Sequence, residues 1–177
     1  MLHLTAADYT RQPWKNGRGE TTELWRLDRN GRLLLRLSRA AVVEDGPFSV
    51  FPGIERNLTV LSGPGFRLSG DGFDLRCDPL IPVAFPGDAA LSAYETAGRP
   101  SEDFNVMTAC DLPKPRVVVT QDLCLPTRGL VALFALEPCT TAGVVLSTGE
   151  LLLTEAPLEV ICDKPLLVVW VDGLSGP

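Results

Sequence analysis

The sequence predicts an all-β protein built from two small barrel-like halves, and three observations carry that expectation. Apolar residues recur mostly with period two rather than 3.6. Fifteen prolines and sixteen glycines cut the chain into short runs at roughly the spacing of a sandwich or barrel. Pro113-Lys114-Pro115 marks the best internal boundary and leaves about sixty residues after it. That is small for an independent domain, so the chain is expected to form one compact unit, 1–177, with halves 1–113 and 114–177 packed together.

Taken in order, Glu20–Arg29 and Arg32–Val43 read as two strands joined at Asn30-Gly31, a strong hairpin signal. Alternation places Leu33, Leu35 and Leu37 on one face of the second strand, with Arg32, Leu34, Arg36 and Ser38 on the other. Short strands follow at Asn57–Leu61, Phe66–Leu68, Val83–Phe85, Leu91–Thr96 and Phe104–Thr108. Beyond the proline boundary they follow at Arg116–Thr120, Leu130–Leu136, Gly143–Leu146, Leu151–Leu153, Glu159–Ile161 and Leu166–Val171. Helix is scarce. Ala6–Arg11 has room for one turn and Glu102 onward for the start of another, both limited by Pro100 and by β-branched residues.

Composition excludes several classes. A net charge of −6 argues against a general nucleic-acid binder, which needs a basic face, and against an anionic membrane surface. No run of eighteen apolar residues suggests a transmembrane helix, and the N-terminus lacks the basic and apolar regions of a signal peptide. Five widely spaced cysteines with no C-x-x-C read as small buried apolar residues in a reducing, cytoplasmic setting. His3 is the only histidine, which excludes a multi-histidine metal site and leaves a Ser-His-Asp or Cys-His system with one conceivable base. Gly17-Arg18-Gly19 lacks the third glycine and the following helix of a dinucleotide fingerprint. Carboxylate-only metal binding stays open without a motif to support it, and no metal or other cofactor is expected.

Chemistry concentrates in two clusters. Pro13 to Glu23 supplies a lysine, an amide, two glycines, hydroxyls and two carboxylates just before a strand. Alternation puts Thr21, Glu23, Trp25 and Leu27 on one face, which would line a pocket mouth that turns apolar with depth. A surface loop with a β-bulge, its Lys15 and Glu23 merely solvated, is an equal reading. Downstream, Asp103, Asn105 and Met107 share a strand face, where an acid and an amide together can orient a polar ligand group. A buried Asp103 would need a partner, for which Lys15, Arg36 and Arg56 are candidates. An internal salt bridge stapling strands is the alternative. Arg56 follows the tight Pro52-Gly53 turn and could hold a carboxylate bidentately, although a surface arginine is the commoner case. If there is catalysis, its acid and base groups are Glu23, Asp103 or Lys15.

These residues resemble the HutD/Ves family of small cupin proteins. The resemblance rests on Trp-Lys-Asn-Gly-x-Gly-x-Thr-x-Glu (Trp14 to Glu23), Arg-x-Ser-x-Ala (Arg36, Ser38, Ala40) and Gly-Pro-Phe-Ser-x-Phe-Pro-Gly-x-x-Arg (Gly46 to Arg56). It continues with Leu-x-Gly-x-Gly (Leu61, Gly63, Gly65), Phe-Pro-Gly-Asp (Phe85 to Asp88) and Asp-Phe-Asn-x-Met (Asp103 to Met107). It covers essentially the whole chain. Arg18 departs from the pattern, standing where many members have Gly or Ala, and puts a bulky cation beside the expected site.

The resemblance implies a double-cupin fold. Ordinary cupins bind a metal through histidines and a glutamate, and this chain lacks the histidines, so a metal-free pocket is expected. It further implies a link to bacterial histidine utilisation, with a proposed role in binding a degradation intermediate such as formylglutamate and moderating flux. On that basis Lys15, Arg36 and Arg56 would hold carboxylates, with Asn16, Thr21 and Asn105 as neutral hydrogen-bonding groups and Glu23 and Asp103 beside them. The expectation is a non-enzymatic, cytoplasmic binder of a small anionic ligand, with no nucleic-acid or membrane partner and room for a homodimer. A metal-free isomerase or lyase acting on a carboxylated substrate, and a purely structural β protein, stand as the alternatives.

Overall fold

The structure, a computed structural model, describes residues 1–13 and 20–176. The described chain is all-β and contains no helix. Its strands are β1 (Leu2–Leu4), β2 (Thr10–Pro13), β3 (Glu20–Arg29), β4 (Arg32–Val42), β5 (Gly46–Pro47), β6 (Ile54–Ser62), β7 (Phe66–Gly70) and β8 (Phe73–Cys77). There follow β9 (Val83–Pro86), β10 (Ser92–Tyr94), β11 (Ser101–Ala109), β12 (Arg116–Ala135), β13 (Cys139–Thr141), β14 (Val144–Leu146) and β15 (Leu151–Asp172). Residues 6–8 form a bare turn, and the segment from Glu102 lies inside β11, so neither place with room for a helical turn is helical.

Two compact units emerge. One comprises Thr10–Leu112; the other joins Met1–Tyr9 to Pro113–Pro177. The division falls at the proline pair, but the first nine residues leave the N-terminal half. The reason is a non-local pairing: Leu2, His3 and Leu4 lie opposite Leu153, Leu152 and Leu151. Tyr9 anchors the return by donating its hydroxyl to the Gly149 carbonyl at 2.8 Å.

In the second unit, β12 and β15 run long, and the short strands expected there merge into them. Leu130–Phe134 lies between two stretches of β15, Leu151–Glu155 on one side and Leu167–Val171 on the other. Period-two side chains of both strands then converge on one interior: Val131, Leu133 and Ala135 from β12, and Leu152, Ala156, Val160, Cys162, Leu166 and Val168 from β15. Leu125, Cys139 and Leu146 complete it, and every member is apolar or cysteine.

The unit Thr10–Leu112 contains a six-stranded sheet, ordered β2-β3-β4-β11-β6-β9, and a four-stranded sheet, β5-β10-β7-β8. The β3–β4 hairpin turns where the sequence requires it, with Asn30 at φ 53° and Gly31 at φ 73°, the positive pair that a two-residue hairpin demands. An apolar cluster includes Leu58 and Val60 of β6, Phe66 and Leu68 of β7, Cys77, Phe85, Leu91 and Ala93. Leu58 and Val60 share their face of β6 with Arg56, and there the lining changes from apolar to polar.

Candidate functional site

Strand register assembles the site before any side chain is considered. Across β4, β11 and β6, Met107 lies between Arg36 and Arg56, Asn105 between Ser38 and Leu58, and Asp103 between Ala40 and Val60. Directly opposed residues share a sheet face, so these nine point to one side. Glu23 on β3 lies opposite Ser38 and joins them. A cavity of about 720 Å³ opens on this face, lined by Thr21, Arg36, Ser38, Ala40, Arg56, Asp103, Asn105 and Met107, together with Gln12, Phe48, Phe51 and the Val43–Pro47 segment.

One expected contribution fails. Between Glu23 and Trp25 the register slips by a residue, so Trp25 lies opposite Leu37 and Leu27 opposite Leu35. A bulge inserts one residue and reverses the alternation beyond it. Trp25 and Leu27 therefore face away from Thr21 and Glu23. The apolar part of the cavity comes instead from Phe48, Phe51, Met107 and Ala93.

Arg56 is the centre of the arrangement, only 5% exposed. Its guanidinium lies 5.0–5.5 Å from the ring centroids of Phe48, Phe51 and Phe85, a cation–π socket drawn from three segments. The socket is built by backbone ties: Phe48 N–H donates to the Leu91 carbonyl at 2.8 Å, and Phe51 N–H to that of Gly87 at 2.8 Å. Asp88 accepts from the Gly53 N–H at 3.1 Å and closes the Pro52-Gly53 turn. Gly87 has no alternative, since a Cβ there would sit 2.6 Å from the carbonyl oxygens of Phe51 and Ile54.

Polar partners then fix the guanidinium. Arg56 Nη1 donates to the Ser49 carbonyl at 3.2 Å and Nη2 to Asn105 Oδ1 at 2.9 Å. Asn105 in turn donates through Nδ2 to Asp103 Oδ1. Arg56 Nε has no partner among the described residues. Burial pulls the Arg56 pKa down to about 10, with Asp103 opposing that shift and Arg36 adding to it.

Asp103 is 1% exposed. Burial drives its pKa up to about 8; Arg56 pulls the other way, Glu102 adds to the rise and the Asn105 hydrogen bond eases it. The acid is thus mostly protonated at neutral pH. Arg36 is differently placed. Its Nε donates to Glu23 Oε2 at 2.6 Å, so a carboxylate of β3 already balances it. At the rim, Asp45 is held ionised by the Thr96 hydroxyl and N–H, at 2.7 and 3.1 Å.

Of the residues named from sequence, Thr21, Arg36, Arg56, Asp103 and Asn105 line one cavity, and Glu23 joins it through Arg36. Lys15, Asn16 and Arg18 lie outside the described residues. Arg56 is no surface arginine, and the ion pair that joins strands here is Glu23–Arg36. Sequence reasoning missed Phe48, Phe51 and Phe85 as the socket, although the spacing of the two phenylalanines between Gly46 and Gly53 was a signal. His3 belongs to the other unit, its Nε2 lying 2.8 Å from Glu150 Oε2. Among the described residues, no three His, Cys, Asp or Glu side chains group as ligands for a metal ion.

The HutD family model matches residues 6–158. The chain belongs to the HutD family. It is similar to HutD from Pseudomonas fluorescens SBW25, solved in a formate condition, with 30% identity, 97% of each chain covered and a TM-score of 0.85. It is equally similar in sequence to a conserved protein of unknown function from Pseudomonas aeruginosa PAO1, at 30% identity over 97% of each chain with a TM-score of 0.80. YhhW from Escherichia coli shares the fold alone, at 10% identity over 99% of this chain and 98% of that one, with a TM-score of 0.64. This HutD-family protein thus has an all-β cupin fold.

Proposed function

We propose that the chain binds a small anionic metabolite, without a metal, in the cavity of the Thr10–Leu112 unit. On this reading it is a cytoplasmic bicupin that moderates flux in histidine utilisation. A degradation intermediate such as N-formylglutamate is the leading ligand. The observation that carries the proposal is Arg56. A guanidinium has five N–H donors, and two of them make the described hydrogen bonds. Its acid neighbour is mostly neutral near pH 7. A buried cation whose charge is not cancelled is costly, and an incoming carboxylate relieves that cost. Ser38 and Asn105 supply neutral polar groups, and Phe48 and Phe51 flank the apolar part of a ligand.

The test is a thermal-shift series with N-formyl-L-glutamate, glutamate and the other acids of histidine breakdown. A ligand at a hundred times its Kd stabilises the fold by about 2.7 kcal/mol. At least one acid is expected to raise the Tm of the wild type and to raise that of Arg56→Lys much less. No shift with any of them would remove the ligand assignment.

Asp103 also supports a second reading, a metal-free isomerase or lyase acting on a carboxylated substrate. A carboxyl group that titrates near neutrality in a cavity is suited to general acid–base work. Product formation followed by NMR, and lost in Asp103→Asn, separates turnover from binding.

A further inference from the structure

The cavity holds an acid and a cation joined through one amide. Asp103, Asn105 and Arg56 form a continuous hydrogen-bonded chain from β11 to β6. Asp103 and Arg56 are both buried, so the charge on one is felt by the other with little screening by water. Among the described residues Arg56 has no ion pair, whereas Arg36 is matched by Glu23.

Among the described residues, few charged and titratable groups surround Asp103. Arg56 faces it from β6, and Arg36, with its partner Glu23, from β4 and β3. Glu102 precedes it on β11. The Cys77 thiol approaches from β8, pushed up to about 12 by burial and by the Asp103 charge. Glu44 and Asp45 line the cavity at the segment after β4. Arg56 stays at about 10 and the Cys77 thiol at about 12, so Asp103, at about 8, lies nearest to neutral pH of these three.

We propose that the cavity takes up an anion and a proton together, with Asp103 as the proton's seat, so that ionisation of this one carboxyl releases the anion. The inference rests on the anion-binding reading above and adds its regulation. With Asp103 neutral, Arg56 presents its charge to the ligand. With Asp103 ionised, a second negative charge lies one amide from Arg56 and repels the ligand's carboxylate. Coupling is reciprocal, so a bound anion raises the proton affinity of Asp103. Burial has already moved that carboxyl to about 8, which places the switch just above neutral pH.

The experiment is calorimetric titration of the full chain with N-formyl-L-glutamate between pH 6.5 and 9. The carboxylates of this probe stay ionised throughout that range. Affinity is expected to hold steady to about pH 7.5 and then to fall by up to about tenfold per pH unit. At pH 8.5, two buffers of different ionisation enthalpy should give different heats, reporting net proton uptake. Asp103→Asn, which mimics the neutral acid, should bind as well at pH 9 as at pH 6.5. Flat affinity with no proton uptake overturns this inference and leaves anion binding standing. No binding at any pH overturns the anion site and the inference together. If Asp103→Asn does not fold, the two-buffer comparison on the wild type decides alone.

Discussion

The two units of this chain fill their interiors in opposite ways. In the unit of residues 1–9 and 113–177, the interior cluster is aliphatic side chains and two cysteines. In the unit Thr10–Leu112, the sheet face that carries Leu58 and Val60 turns polar and presents Ser38, Arg56, Asp103 and Asn105 to a cavity. Among the described residues, Thr141 is the only buried polar side chain in the first of these units, and nine lie in the other. Polar groups inside a protein cost free energy unless matched. A β architecture that can be filled with leucine and valine does not need a buried arginine for stability, so the polar interior points to function.

The largest consequence of that contrast is a pH-dependent stability confined to the polar unit. The Asp103 carboxyl is raised in the folded protein, from 3.8 to about 8. Its contribution is therefore fully present below about pH 4 and is lost as pH rises to about 8, at up to roughly 1.4 kcal/mol per pH unit. Chemical denaturation between pH 5 and 8 should show this slope in the wild type and a flatter profile in Asp103→Asn. An unchanged slope would mean that Asp103 is not the titrating group.

Next in size, Leu133→Ala empties part of the apolar interior, where Leu133 is fully buried. It should cost about 3 kcal/mol, in the usual range for such truncations, while anion affinity in the surviving folded protein is kept. Loss of affinity at equal folded fraction would break the division of labour between the units. Arg56→Lys keeps the charge but loses the fork and its planar contact with three phenylalanine rings. It should weaken anion binding by about 2 kcal/mol, read by titration at pH 6.5. The smallest effect is expected from Glu23→Gln. Freeing Arg36 of its carboxylate partner should tighten anion binding a few-fold, whereas weaker binding would make Glu23 itself a ligand contact.

Much of this was legible in the sequence, and the gaps have physical causes. The Asn30-Gly31 hairpin is written in two adjacent residues, and period two places Asp103 and Asn105 together without any long-range knowledge. Thr10–Pro13, exposed along its whole length, has no apolar alternation to reveal a strand. A bulge near Glu23 was one reading of the sequence, but its position just after Glu23 is not legible, because an extra residue exists only relative to the partner strand. The docking of Leu2–Leu4 on Leu151–Leu153 depends on contacts nearly the whole chain apart. A surface position was the commoner reading of Arg56 because its socket comes from Phe48, Phe51 and Phe85, which meet only after folding.

The central claim is that the cavity beside Arg56 receives an anion. A crystal structure of the full chain with N-formyl-L-glutamate at pH 6.5 tests it most directly. The account predicts a ligand carboxylate oxygen within about 3 Å of the Arg56 terminal nitrogens, with Phe48 and Phe51 beside its carbon chain. A ligand bound elsewhere, with this cavity left to water, would contradict it.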